Sequence, residues 1–289
     1  MGFKSGYVTI LGRPNVGKST LLNYLVGEKI SIVTYKPQTT RRKILGIANF
    51  PQGQIIIIDT PGLHKHEKEL NKAMMREALS SLEEGDLIIY ITDVDERNFE
   101  KDYEYIKMLE GKKAILFINK IDLIKKSLLL PMIEKYHNTG FFLEIVPISL
   151  IKGDNLDRIV DVIFKYLPEG PQYYPEDMKT PQTLRFLVSE IIREKIFLKT
   201  REEIPYSTSV LIDYFEEEDN LVRIGATIIV EKDSQKKIVI GAKGSMIKEI
   251  GKSAREEIEL LLGKKVYLEL YVKVVKNWTK DAKKVQQFF

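Results

Sequence analysis

Residues Gly12-Arg13-Pro14-Asn15-Val16-Gly17-Lys18-Ser19 stand between a strand-like apolar run at 7–11 and a helix-like stretch, and this placement constrains the fold more than any other feature. A GxxxxGKS loop wraps backbone N–H groups around a phosphate chain, and glycines let the backbone turn tightly and approach closely. The helix that follows aims its positive end at the same phosphates. Gly12, Asn15, Val16, Gly17, Lys18, Ser19 and Thr20 form the expected cradle, with Lys18 reaching the β- and γ-phosphates and the Ser19 hydroxyl ligating Mg²⁺.

Strand-like runs recur at 55–58, 87–92, 114–118 and 143–148, with helical periodicity between them, for instance at 101–109 and 155–166. This is the pattern of a doubly wound α/β sheet, whose ligand lies at the C-terminal ends of the strands. The periodicity stops around Pro168-Glu169-Gly170-Pro171. The expected division is therefore a first domain at 1–171, a linker at 172–181 and a second domain at 182–289. Beyond the break, 184–197 reads as a helix, 207–214 and 222–231 as a hairpin, 245–262 as a helix and 266–275 as a strand.

The 289 residues suffice for two cores. The absence of cysteine excludes disulfides and thiolate metal sites, and His64, His66 and His137 are too scattered for a histidine metal cluster. His64 and His66 read as solvated. With no apolar run near the ~20 residues of a membrane span and no signal-peptide layout, the expectation is a soluble, cytoplasmic protein. The net charge of +4 hides an asymmetry: 236–289 carries 13 Lys and Arg against 6 Asp and Glu, whereas 182–235 carries 7 against 11. A basic stripe of this kind is the electrostatic footprint of a polyanion partner, or else a solvated face.

Two further motifs follow strands in the right order. In Asp59-Thr60-Pro61-Gly62, Asp59 can hold Mg²⁺ through water and the Gly62 amide can sense a γ-phosphate. In Asn119-Lys120-Ile121-Asp122, Asp122 can accept hydrogen bonds from N1–H and the 2-amino group of guanine, which adenine does not offer. Two such charge-assisted bonds separate GTP from ATP by ~10²–10⁴ in affinity. Asn119 would orient the loop and the Lys120 stem would lie along the base.

In the second domain, Gly241-Ala242-Lys243-Gly244-Ser245 forms a GxxG loop that enters a helix and opens the most basic segment. After a helix and hairpin and before a long helix and strand, this is the order of an α+β type II KH domain, whose loop clamps a single-stranded backbone. Lys243, Lys248 and Lys252 are the candidates for phosphate contact. Ile240, Ile247 and Ile250 fit either the apolar floor or the core. Trp278 among Lys276, Lys280, Lys283 and Lys284 fits either a single-strand binder or internal packing.

With these motifs the chain resembles translation-factor-related GTPases and, through Pro37-Gln38-Thr39-Thr40-Arg41 and the KH-like end, the bacterial Era GTPases. The resemblance covers nearly the whole chain. It implies a P-loop G domain followed by a type II KH domain, and a GTP/GDP switch that binds the 3′ end of small-subunit ribosomal RNA and acts in small-subunit assembly, as a monomer and without DNA. Thr39 or Thr40 would close over Mg²⁺ and the γ-phosphate, with Thr40 slightly favoured. The loop Ser149-Leu150-Ile151-Lys152 departs from the family's Ser-Ala-x-Lys, yet its guanine support comes mainly from backbone amides.

Leu63 follows the DxxG glycine where many GTPases carry glutamine, so slow hydrolysis is expected. Related GTPases with a hydrophobic residue there use K⁺, held partly by an asparagine at the position of Asn15. Lys18, Thr40, Gly62 and Asn15 are thus the candidate catalytic set. Arg13, Arg41 and Arg42 are equivalent candidates for an arginine finger. A membrane-associated signalling GTPase with peripheral lipid contact, and a nucleotide-gated RNA-binding module with negligible turnover, are the alternative functions.

Overall fold

The computed structural model describes residues 2–63 and 68–289, so His64 and His66 lie outside the described residues. The chain divides into two compact units. Of the described residues, the first comprises 2–31, 40–63 and 74–181, and the second 182–289 with 32–39 and a short segment ending at Ala73.

The first unit is built on a six-stranded sheet in the order β2-β3-β1-β4-β5-β6. Its strands are β1 (Lys4–Leu11), β2 (Ile44–Phe50), β3 (Gly53–Asp59), β4 (Leu87–Asp93), β5 (Ala114–Asn119) and β6 (Glu144–Pro147). β3 and β5 are buried along their whole length, which is why their sequences run almost without a polar break. β2 pairs antiparallel with β3 while the other pairs are parallel. Between these strands lie α1 (Lys18–Val26), α2 (Glu69–Ser80), α3 (Phe99–Ile106), α4 (Lys126–His137) and α5 (Asp157–Tyr166). The connection after β1 leads to β2 and β3 on one side of it and the connection after β3 leads to β4 on the other, so the crevice for a ligand opens beyond the C-terminal end of β1.

Residues 172–181 belong to the first unit and run along its sheet. Gln54 accepts from the backbone N–H groups of Tyr173 and Tyr174, each at 3.0 Å. The Ile47 N–H donates to the Lys179 carbonyl at 2.8 Å, and the Thr180 hydroxyl donates to the Leu45 carbonyl at 2.6 Å. The segment thus covers the free edge of β2, whose unpaired backbone groups would otherwise face water.

The second unit has a three-stranded sheet of β7 (Ser209–Glu217), β8 (Leu221–Val230) and β9 (Lys265–Val274), antiparallel then parallel. α6 (Leu184–Lys199), α7 (Asp233–Ile240) and α8 (Ser245–Leu262) contribute to its apolar core, which includes Val188, Ile192, Ile196, Val239, Ile250, Ala254 and Ile258 from the helices. The Thr183 hydroxyl caps α6 by accepting from Phe186 N–H at 3.2 Å. α9 (Ala282–Phe288) closes the chain. Trp278 is wholly buried and donates its indole N–H to the Ser207 carbonyl at 2.8 Å, so it packs inside the unit and offers no stacking platform.

Candidate functional site

The phosphate loop joins β1 to α1. Gly17 adopts φ +112°, and a Cβ there would meet Asn119 Nδ2 at 2.4 Å, so glycine is required both by the turn and by the neighbouring loop. Asn15 takes a left-handed φ of 63°, a conformation asparagine tolerates, and is exposed. Lys18 is buried, and its Nζ donates to the carbonyls of Gly12 at 3.2 Å and Arg13 at 2.8 Å. Burial lowers its pKa to about 8; phosphate oxygens beside it would favour the charged form.

At the end of β3, three hydroxyls converge on one carboxylate oxygen. Ser19 donates to Asp59 Oδ2 at 2.6 Å, Ser31 at 2.9 Å and Thr40 at 3.3 Å, while the Ser19 and Thr40 hydroxyls lie 2.8 Å apart. The other oxygen, Oδ1, is buried with no hydrogen-bond partner among the described residues. Burial pushes the Asp59 carboxyl above its usual range, against the pull of Ser19 and Lys18. An orphaned buried oxygen beside two hydroxyls is a donor set of hard oxygens only, which fits Mg²⁺. The structure brings Thr40 to this cluster and not Thr39, whose hydroxyl is 2.7 Å from that of Thr34 and donates to the Lys36 carbonyl at 2.8 Å.

Gly62 lies against Pro14, within reach of the phosphate loop, and Leu63 N–H donates to the Gly12 carbonyl at 3.0 Å. The Leu63 side chain is only 3% exposed and sits among Leu11, Ala78 and Tyr90, so it offers nothing to a water. Arg13 is committed to Asp93 and Asp102, and Arg41 is buried, so of the three arginines only Arg42 is exposed.

Asn119 ties the base loop to the phosphate loop. Asn119 Nδ2 donates to the Val16 carbonyl at 2.8 Å, and its Oδ1 accepts from Leu150 N–H at 3.2 Å. Lys120 Nζ reaches Asp93 Oδ2 at 3.3 Å. Asp122 is exposed and accepts from the Ser149 hydroxyl at 2.6 Å. The Ser149 side chain therefore orients the Asp122 carboxylate; sequence spacing gave no sign of this pairing. Ile151 is 81% exposed and Thr20 half-buried.

In the second unit Gly241 takes φ +74°, and a Cβ there would lie 2.7 Å from both Met246 N and Met246 Cβ. Glycine is thus required by the chain's own turn into α8, where Ala242, Lys243 and Ser245 are exposed and Gly244 is half-buried. Ile247, Lys248, Gly251, Lys252 and Arg255 on α8, with Leu268 and Leu270 on β9, line a cavity of about 380 Å³. Ile250, Ala254 and Ile258 face the opposite way into the core, and Ile240 is half-buried. The spacing 247, 251, 255 identifies Arg255 as a third cation on the groove beside Lys248 and Lys252, legible once Ile247 is placed there.

Residues 32–39 lie on α6. Val33 N–H donates to Glu194 at 3.2 Å, Arg193 donates to the Thr39 carbonyl, and Lys36 Nζ donates to the carbonyls of Phe197 and Thr200 at the end of the helix.

Residues 7–120 match the family described as 50S ribosome-binding GTPase, and residues 203–279 the KH domain. GTPase Era of Syntrophus aciditrophicus is 49% identical over 99% of this chain and 95% of its own. GTPase Era of Geobacter metallireducens is 50% identical over 99% and 97%. A crystal structure of Era in complex with MgGDPNP and nucleotides 1506–1542 of 16S ribosomal RNA superposes with a TM-score of 0.93 at 47% identity, covering 99% of this chain and 98% of that one. A tyrosine-to-alanine variant of Era from Aquifex aeolicus bound to GDP and AlF₄⁻ matches with the same TM-score and identity, over 99% of both chains.

Proposed function

The chain belongs to the Era family of GTPases, and on that premise we propose that it hydrolyses GTP as a switch, binds the 3′ end of small-subunit ribosomal RNA and assists small-subunit assembly. The observation that carries this reading is the presence in one chain of a guanine and phosphate site and a basic GxxG groove.

Gly12, Asn15, Val16, Gly17, Lys18, Ser19 and Thr20 hold the phosphates, while Asn119, Lys120, Asp122, Ser149, Leu150 and Ile151 hold guanine. Ser19, Thr40 and Asp59 would hold Mg²⁺, which when bound neutralises charge on the β- and γ-phosphates. Water attacks the γ-phosphorus, the bond to the β–γ bridging oxygen breaks, the released pair of electrons stays on GDP, and the proton lost by the water passes to a phosphate oxygen or to solvent. Lys18 and the Gly62 amide stabilise the charge that develops. With Leu63 buried, no side chain at that position aligns the water, so intrinsic turnover is slow. Asn15 would help hold a K⁺ ion, which would supply further positive charge, and turnover several-fold faster in K⁺ than in Na⁺ at matched ionic strength is the expected result of a phosphate-release assay.

The GxxG loop with Lys243, Lys248 and Lys252 clamps the RNA backbone, and the cavity beside them takes bases. Thr40 responds to the γ-phosphate, and the residues just before it are held by α6, so nucleotide exchange pulls on the RNA-binding unit through the chain itself. We place the protein in the cytoplasm as a monomer. No described helix is long and apolar enough to cross a membrane, so lipid contact would be peripheral, through the basic segment 236–289.

The test is binding of a short RNA carrying the small-subunit 3′ sequence and of a scrambled control, with GTP analogue or GDP loaded at fixed salt. Sequence-selective, nucleotide-dependent affinity is expected; affinity indifferent to both sinks the proposal. Replacing Lys243, Lys248 and Lys252 together by alanine should flatten the logarithmic salt dependence by ~2, since each lost single-strand phosphate contact removes about 0.7.

A further inference from the structure

Arg13 is the residue of the phosphate loop whose side chain turns away from the phosphates. Its Nε donates to Asp102 Oδ1 at 2.8 Å, and its Nη2 donates to Asp93 Oδ1 at 2.9 Å and to the Thr92 hydroxyl at 3.3 Å. Asp102 lies on α3 and is wholly buried. It also accepts from the Tyr90 hydroxyl at 2.8 Å on Oδ1, and on Oδ2 from Thr92 at 2.6 Å and Tyr136 at 2.9 Å. Both oxygens are therefore saturated by two donors each. Burial, reinforced by the Asp102 charge, raises the pKa of both phenols, so they remain donors.

A carboxylate so deeply buried is costly unless it is paired, and removing its partner leaves a charge held by neutral hydroxyls alone. Arg13 is that partner, and its own carbonyl accepts from Lys18 Nζ. Asp93 extends the chain: its Oδ1 takes Arg13 and its Oδ2 takes Lys120. Lys120, Asp93, Arg13 and Asp102 thus form one continuous series of charges joining the base loop and the phosphate loop to α3.

We infer that Asp102 is a positioning residue for the nucleotide site, acting through Arg13 to fix the phosphate loop before phosphate arrives. The inference rests on the nucleotide reading of that loop. A loop held in its binding shape loses little freedom when the ligand enters, whereas a loop released from Asp102 must be ordered by the phosphates themselves. The loss falls on the phosphate end of the ligand and leaves the choice of base to Asp122. Arg13 is thereby an internal anchor and not an arginine finger.

The experiment compares GDP affinity of the full chain with Asp102→Asn, which keeps the side chain's size, with Arg13→Met, which removes its charge, and with the double variant. Each single change is expected to weaken GDP roughly 10- to 100-fold, the scale set by a small misplacement of binding groups. The double variant should be no more than about twofold worse than the weaker single, because both remove the same link. Preference for GDP over ADP should be unchanged, and the ³¹P resonance of the bound β-phosphate should move in the same direction in both singles.

A variant that melts earlier yet binds GDP with wild-type affinity and an unmoved ³¹P resonance would assign Asp102 a purely structural role and overturn the inference. So would multiplicative losses in the double variant. If the wild type itself binds no GDP, the nucleotide reading falls instead, so the two failures are distinguishable. Should Asp102→Asn fail to fold, Arg13→Met, which leaves the phenol and threonine hydrogen bonds to Asp102 in place, still decides through the ³¹P resonance and GDP affinity.

Discussion

Replacing Asp122 by asparagine is expected to weaken GTP binding by ~10²–10⁴, because two hydrogen bonds to a charged acceptor, each worth about 1.5–3 kcal/mol, are lost together. The carboxylate is exposed at the end of β5 with the Ser149 hydroxyl fixing one oxygen at 2.6 Å. An asparagine of the same shape keeps that neighbour but presents an N–H to the guanine 2-amino group, donor against donor. Xanthine carries a carbonyl in place of that amino group, so the variant should bind xanthosine diphosphate more tightly than GDP. Competition of the two diphosphates against a fluorescent nucleotide reads this directly, and unchanged selectivity would remove Asp122 from the base site.

Changing Asp59 to asparagine should lower phosphate release by roughly 10³-fold, since a divalent ion contributes several kcal/mol to a phosphoryl-transfer transition state. The unpartnered Oδ1 and the Ser19 and Thr40 hydroxyls are the reason. GDP affinity measured with excess EDTA should differ little between wild type and variant, because the phosphate loop itself is untouched. Equal turnover in the two proteins at saturating Mg²⁺ would show that the ion is held elsewhere.

Much of the architecture was legible before folding was considered. Strands buried on both faces, such as β3 and β5, carry unbroken apolar runs at 55–58 and 114–118 and so advertise themselves. β2 went unnoticed because it is an edge strand broken by Gly46 and Asn49, and its identity comes from antiparallel pairing with β3. The short α7 escaped too, because lysines and a glutamine hide a helix anchored chiefly by Gln235 and Val239.

The site divides in the same way. Motifs that act through local backbone shape, the phosphate loop, DxxG and NKxD, can be read from consecutive residues. Partnerships across the fold cannot: Ser149 and Asp122 are 27 residues apart, and Arg13 and Asp102 are 89 apart. No spacing rule joins such pairs, because the sheet order and not the chain order makes them neighbours. Two ambiguous residues were decided by burial alone, Trp278 and Ile250, both with no exposed surface.

The hydrogen bonds that lay residues 172–181 along β2 make the integrity of the first sheet depend on chain that carries no ligand. A nick within that stretch would leave every phosphate- and guanine-binding residue in place and still convert a finished sheet into an unfinished one. The Ile47 N–H and Leu45 carbonyl, now taken by Lys179 and Thr180, would stand open to a strand from another copy. What looks like a tether is therefore what closes this edge of the sheet.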